Sequence, residues 1–249
     1  MTMAELDRKS PLETAESPAP INRRGIRLEH GSAESIIRDE ALALIAELRR
    51  VKEDGLNRSL SDVEMFPIEL EGIANLVGVR LEEADSGGQV LGSYDPARRT
   101  ISVAGQGGVR ERRYTQAHEI AHAIFDPSEV RYRERLSEGS SAREWAERRA
   151  EVFACELLMP AEPVRKVFHA NIGMTIDERS LDENIAYFLS QRSKKRTVAE
   201  LRGMTSLERQ GLFAITTSFG GIQFKSLCEV FGVSKKAMAI RLGELSLVH

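Results

Sequence analysis

The sequence predicts an α+β fold, mainly helical, with one small antiparallel sheet. Three observations carry this reading. Apolar residues recur at helical spacing over most of the chain beyond Ser32. One stretch, Val79 to Val103, alternates in strand fashion around the turn residues Asp95-Pro-Ala-Arg98. The last third returns to short helical patterns punctuated by glycine.

The elements follow in order. Residues 1–30 scatter Pro11, Pro18 and Pro20 among Ser, Glu and Arg and offer little to bury, so a disordered tail is expected. Ile36, Ile37, Ala41, Leu44, Ile45, Leu48 and Val51 fall on one face of a helix. After a polar loop through residues 54–65, Pro67 suits the first position of a second helix. Ile68, Ile73, Ala74 and Val77 would point inward, and Gly78 would end it. Val79 to Leu81 reads as a short strand, and Val90–Tyr94 with Thr100–Val103 as a hairpin. A helix over Glu111–Phe125 stops at Pro127. A polar loop at residues 137–141 precedes another helix, Ala142–Met159, stopped by Pro160. Near the end, Phe224–Phe231, the turn Gly232-Val233 and an Ser234-capped helix over Lys235–Leu245 form a helix-turn-helix-like segment. The expected organisation is a tail (1–30), a first domain (31–170) and a helical module (171–249).

Composition narrows the class. Of 249 residues, 41% are hydrophobic and 29% charged, as in a water-soluble globule. The net charge of −3 gives no global argument for nucleic acid, although the C-terminal third is net positive and the remainder net negative. Cys155 and Cys228 stand far apart, which excludes a disulfide framework or a four-cysteine metal site. No apolar run reaches the ~18 residues of a membrane span, and MTMAELDRKS has no apolar signal core, so a cytoplasmic location is expected.

The chemistry is concentrated in His118-Glu-Ile-Ala-His122. Positions i and i+4 of a helix lie one above the other, so both imidazoles reach one Zn2+ at about 2.0–2.1 Å without bending the backbone. Glu119 lies beside them, placed to take a proton from an attacking water. Catalytic zinc takes three protein ligands and keeps a position open. His169 and His249 follow too late to complete a close histidine triad. A carboxylate on the next helix is the alternative. Glu147 lies three residues before Ala150 and seven before Ala154, in register with the inward face; Glu151 is the main competitor and Glu144 points less well. With two nitrogens and a carboxylate, Mn2+ is a rival to Zn2+.

These residues resemble the ImmA/IrrE family of metallopeptidases, through RRYTQAHEIAH (112–122) and ERRAEVFACELLMP (147–160). The segment PIELEGIANLVGVRL (67–81) and the hairpin ending in Ile101-Ser-Val103 are also similar. The resemblance implies a zincin-like core, His118, His122 and Glu147 as metal ligands, and Glu119 as general base. It also implies a protein substrate of the helix-turn-helix repressor class, whose cleavage releases a stress-response or mobile-element operon. The family often has an acidic residue before Ala150, where this chain has Arg149, a position expected to lie off the metal face but able to alter a contact behind it.

Lys235, Lys236 and Arg241 would give the last helix a basic face able to meet phosphate. Packing on the peptidase core or gripping substrate is the expected role of that helix, with direct DNA binding less favoured. The competing reading is a non-catalytic regulator that works through the helix-turn-helix and uses zinc as a structural element. Closed structural sites have four Cys/His ligands, however, and Glu119 has no purpose in one. Tyr114, Tyr187 and His169 are candidate donors to the oxyanion.

Overall fold

The computed structural model describes residues 33–84, 90–127, 131–134, 141–190 and 197–249. The expected tail, 1–30, and most of the expected loop at 137–141 lie outside these residues.

Ile37, Ala41, Leu44 and Leu48 repeat every three or four residues and are buried, which fixes one face of α1 (Ala33–Leu56) against the rest of the chain. Val51 does not belong to that face: it is 54% exposed. A 3-10 turn (Val63–Met65) leads to α2 (Leu70–Val77). The helix starts three residues later than Pro67 predicts, and Pro67 lies in the connecting loop. Gly78 ends it in the left-handed region, φ 71°, where glycine carries no Cβ penalty.

The strands are β1 (Arg80–Ala84), β2 (Val90–Asp95) and β3 (Thr100–Ala104). Asp95 Oδ1 accepts from the backbone of Ala97 at 2.9 Å and Arg98 at 3.2 Å, closing the expected hairpin. Next come α3 (Val109–Phe125), β4 (Arg131–Glu134) and α4 (Ser141–Leu158). The strand order is β1-β3-β2-β4. The sheet is therefore mixed rather than antiparallel: the hairpin docks its second strand beside β1, and β1 and β3 run parallel. β4, which pairs with β2, escapes a sequence reading because Arg-Tyr-Arg-Glu has no apolar alternation. α3 is held between β2 and β3 on one side and α4 on another. Of the eleven α3 residues from Thr115 to Phe125, all but Gln116 are buried.

The chain continues through α5 (Ala161–Ile172), α6 (Glu183–Ser190), α7 (Val198–Gly203), α8 (Ser206–Ile215), the ribbon β5 (Ser218–Phe219) and β6 (Ile222–Gln223), α9 (Leu227–Phe231) and α10 (Lys235–Glu244). α9 begins later than Phe224 because Ser226 and Glu229 form a capping box that sets its start. Ser234 caps α10 as expected, accepting from Ala237 N at 3.2 Å.

These C-terminal helices share one hydrophobic cluster with α1 to α4, running from Ile37 to Val248. Two arginines tie the parts together. Arg113 of α3 donates to Ile68 O at 2.8 Å and to Gly232 O at 3.2 Å, the turn between α9 and α10. Gly232 has φ 65°, and a Cβ there would stand 2.8 Å from Pro67 Cβ. Arg241 is 2% exposed and ion-pairs with the buried Glu156 of α4, while its Nε donates to Met159 O at 3.0 Å. The expected basic face of α10 thus loses Arg241, which points into the core; Lys235 and Lys236 remain exposed.

Candidate metal centre

The two histidines stand one turn apart on α3, and the turn is already set by the apolar residues between and around them. His118 Nε2 and His122 Nε2 are 3.2 Å apart and converge on the same point. Glu147, near the N-terminal end of α4, reaches that point from the facing helix: its Oε2 is 3.1 Å from His118 Nε2 and its Oε1 3.5 Å from His122 Nε2. Ligand atoms of all three lie within 4.8 Å of one another. Glu151 does not take part; it is half exposed and lies 3.9 Å from Arg148. Glu144 is exposed.

The charges around this point favour a cation. Burial pulls His122 down, yet hydrogen bonds to Asp126 and Glu147 and the nearby Glu119 charge carry it up to about 9. The two imidazoles hold the Glu147 carboxyl far below its ordinary range, against the opposing effect of burial. Two imidazole nitrogens and a carboxylate converging on one point mark a place where a metal ion fits.

The contact behind the ligands is unexpected. His122 Nδ1 bonds Asp126 Oδ2 at 3.1 Å, and Asp126 in turn ion-pairs with Arg149. Burial opposes the Asp126 charge, but His122 and Arg149 hold its carboxyl below the ordinary value. Arg149 is 2% exposed, and its guanidinium lies 5.3 Å from the centre of the Phe125 ring. Its guanidinium does sit off the metal point, as the sequence implies, but it is the outer end of the chain of contacts that orients His122. Sequence reasoning missed Asp126, although its place four residues after His122 on the same face was a usable signal.

Glu119 is fully buried under β2. Gly92 makes that possible: a Cβ on Gly92 would meet Thr115 Cγ2 at 2.5 Å and Glu119 Cγ at 3.0 Å. A glycine inside an otherwise ordinary strand was the overlooked sign of this close approach. Of the three candidate oxyanion donors, Tyr114 has its ring against a triad residue, 6.3 Å from that of His118. Tyr187 is 63% exposed on α6, and His169 is exposed on α5 beside Phe168.

Residues 75–189 match the Peptidase_M78 family, described as the IrrE N-terminal-like domain, a zincin-like fold. Residues 75–189 form an ImmA/IrrE-type metallopeptidase domain. No curated protein matches the chain. The peptidase match spans β1 to α6 and so contains both helices that carry the triad.

Two outcomes follow from the geometry of this peptidase site. Replacing Asp126 by Asn removes the charge facing His122 while keeping shape, and should weaken metal binding about 10–100-fold in a competitive chelator titration. Metal-free protein should also lose stability at alkaline pH. His122 is raised on folding from 6.5 to about 9, so its contribution is complete below pH 6.5 and lost as pH climbs through 9. Thermal unfolding of chelator-treated protein across that interval should show the fall, and added metal should flatten it by replacing the proton.

Proposed function

We propose that the chain is a cytoplasmic zinc-dependent endopeptidase in which His118, His122 and Glu147 hold the metal and Glu119 is the general base. The convergence of two buried imidazoles and one carboxylate, with a second buried carboxylate beside them, supports this most strongly. The donor set fits a first-row divalent ion: two nitrogens and a carboxylate oxygen leave room for water and substrate, with zinc favoured and Mn2+ the rival. When bound, such an ion polarises the scissile carbonyl and lowers the pKa of water.

The remaining steps belong to the chain. Glu119 accepts a proton from the attacking water as its oxygen bonds to the carbonyl carbon. It then delivers that proton to the amide nitrogen as the C–N bond breaks, leaving an amine and a carboxylate. Asp126 fixes the His122 ring, so that Nε2 faces the metal point. Tyr114, one turn before His118, is the best-placed donor to the developing oxyanion.

The family supports a protein substrate, and by its resemblance a helix-turn-helix repressor whose cleavage releases a stress-response or mobile-element operon. The regulator reading, with α10 on DNA, is weakened by the burial of Arg241. Among the described residues no helix is long and apolar enough to cross a membrane. The test is incubation of zinc-loaded protein with purified helix-turn-helix repressors, with products sized by mass spectrometry. Discrete fragments that vanish with chelator and return with zinc would support the proposal. Intact repressors beside a cleaved general peptide library would remove the repressor, and no cleavage of either would remove the peptidase.

A further inference from the structure

Beside the triad lies a cleft of about 820 Å3, walled by α3, α4 and α10. It begins where Tyr114 and Thr115 stand one turn before the ligand helix's His118, and where Arg148 and Glu151 flank Glu147. It ends against α10, whose Lys236, Ala237 and Ile240 form the far wall. The helix-turn-helix segment therefore contributes a side of the space next to the reacting centre.

The lining has a definite chemistry. Val152 and Met159 of α4, Val103 of β3 and Ile240 of α10 supply an apolar floor, and Ile240 is 44% exposed there with nothing to cover it among the described residues. Charged groups form the rim. Two of its three acids face a cation, Glu151 with Arg148 and Glu244 with Arg241 at 3.2 Å, and Glu111 accepts from the backbone N–H of Gly108 at 3.2 Å. Arg38, Arg112 and Arg148 are likewise engaged, with Glu156, Glu83 and Glu34 respectively. Arg110 and Lys236 are exposed and stand in no ion pair among the described residues. These two cations stand on different elements of the lining, Arg110 on α3 and Lys236 on α10.

We propose that this cleft binds the substrate polypeptide on one side of the scissile bond, and selects a segment with an apolar residue flanked by acidic ones. The apolar side chain covers Ile240 and Val152, and the flanking carboxylates meet Arg110 and Lys236. The inference rests on the peptidase reading, since it treats the bound segment as substrate. It gives α10 a role in substrate selection.

The test uses the full chain carrying Glu119→Gln, loaded with zinc so that the probe is not consumed. Two short fluorescein-labelled peptides are compared by anisotropy: one with an apolar core flanked by glutamates, the other with lysines in their place. The glutamate peptide should bind more tightly and lose affinity as salt rises. Adding Arg110→Glu and Lys236→Glu together should weaken it about tenfold, because each reversal removes an attraction and adds a repulsion. The same double variant should gain affinity for the lysine peptide, which a merely misfolded protein would not do. No preference between the peptides, no binding of either, or a preference untouched by the double reversal would overturn the proposal. Cleavage of the glutamate peptide by the chain with Glu119 intact tests the peptidase reading separately. A peptide bound with the expected preference yet left uncut by zinc-loaded protein would sink that reading and leave a binding cleft.

Discussion

Glu119→Gln should keep its metal and lose about 10³-fold in turnover, the magnitude typical of a positioned general base. The side chain is fully buried and packed beneath β2, where Gly92 leaves room for it and little more. Glutamine has the same shape, so the fit under the strand is retained and the helix carrying His118 and His122 need not move. What is lost is the ability to take a proton from water at neutral pH. Metal content by elemental analysis and turnover on a peptide substrate, measured on one preparation, separate the two effects. Loss of metal together with activity would mean that Glu119 helps to hold the site. Unchanged turnover would remove Glu119 from the role of general base.

The second large effect is at Glu147. Glu147→Ala should lower metal affinity by more than about 100-fold, beyond the range of contacts behind a ligand. It removes the only oxygen ligand from the triad and leaves two imidazole nitrogens 3.2 Å apart. It also removes one of the groups that raise His122, so the His122 titration should shift downward in metal-free protein, visible by NMR. Glu151→Ala is the control: Glu151 is four residues further along α4, half exposed, and should leave stoichiometry unchanged. If the two variants behaved alike, the assignment of the third ligand would fail.

The contrast between Glu147 and Glu151 shows how much of this site can be read from sequence. The i, i+4 spacing of His118 and His122 is a local property of any α-helix, and the register of Glu147 with Ala150 and Ala154 is also local. Both are visible without knowing what faces what. Asp126, four residues after His122 and one past the end of α3, is legible by the same i, i+4 spacing. Arg149 required knowing that α3 and α4 pack so closely that a cation on one finds a carboxylate on the other. The same division holds for the fold. The hairpin was legible because Asp95 writes its turn into four consecutive residues, whereas the parallel docking of β1 on β3 is set by tertiary packing. Arg241 is the clearest case. Its spacing places it with two lysines, and only the buried Glu156 across the interface draws it inward.

That ion pair bears on how the protein can be taken apart and recombined. The family match ends at residue 189, which invites the view that a catalytic piece ends there and could be transplanted or expressed alone. Glu156 lies inside that piece, its arginine partner 85 residues further on. A piece limited to the match, 75–189, would lose both Arg241 and Arg38, the cations paired with the buried Glu156, and stranding such a carboxylate costs several kcal/mol. The boundary that defines ancestry and the boundary that defines an inheritable folding unit therefore fall at different places in this chain. A gene fusion or truncation would have to respect the second.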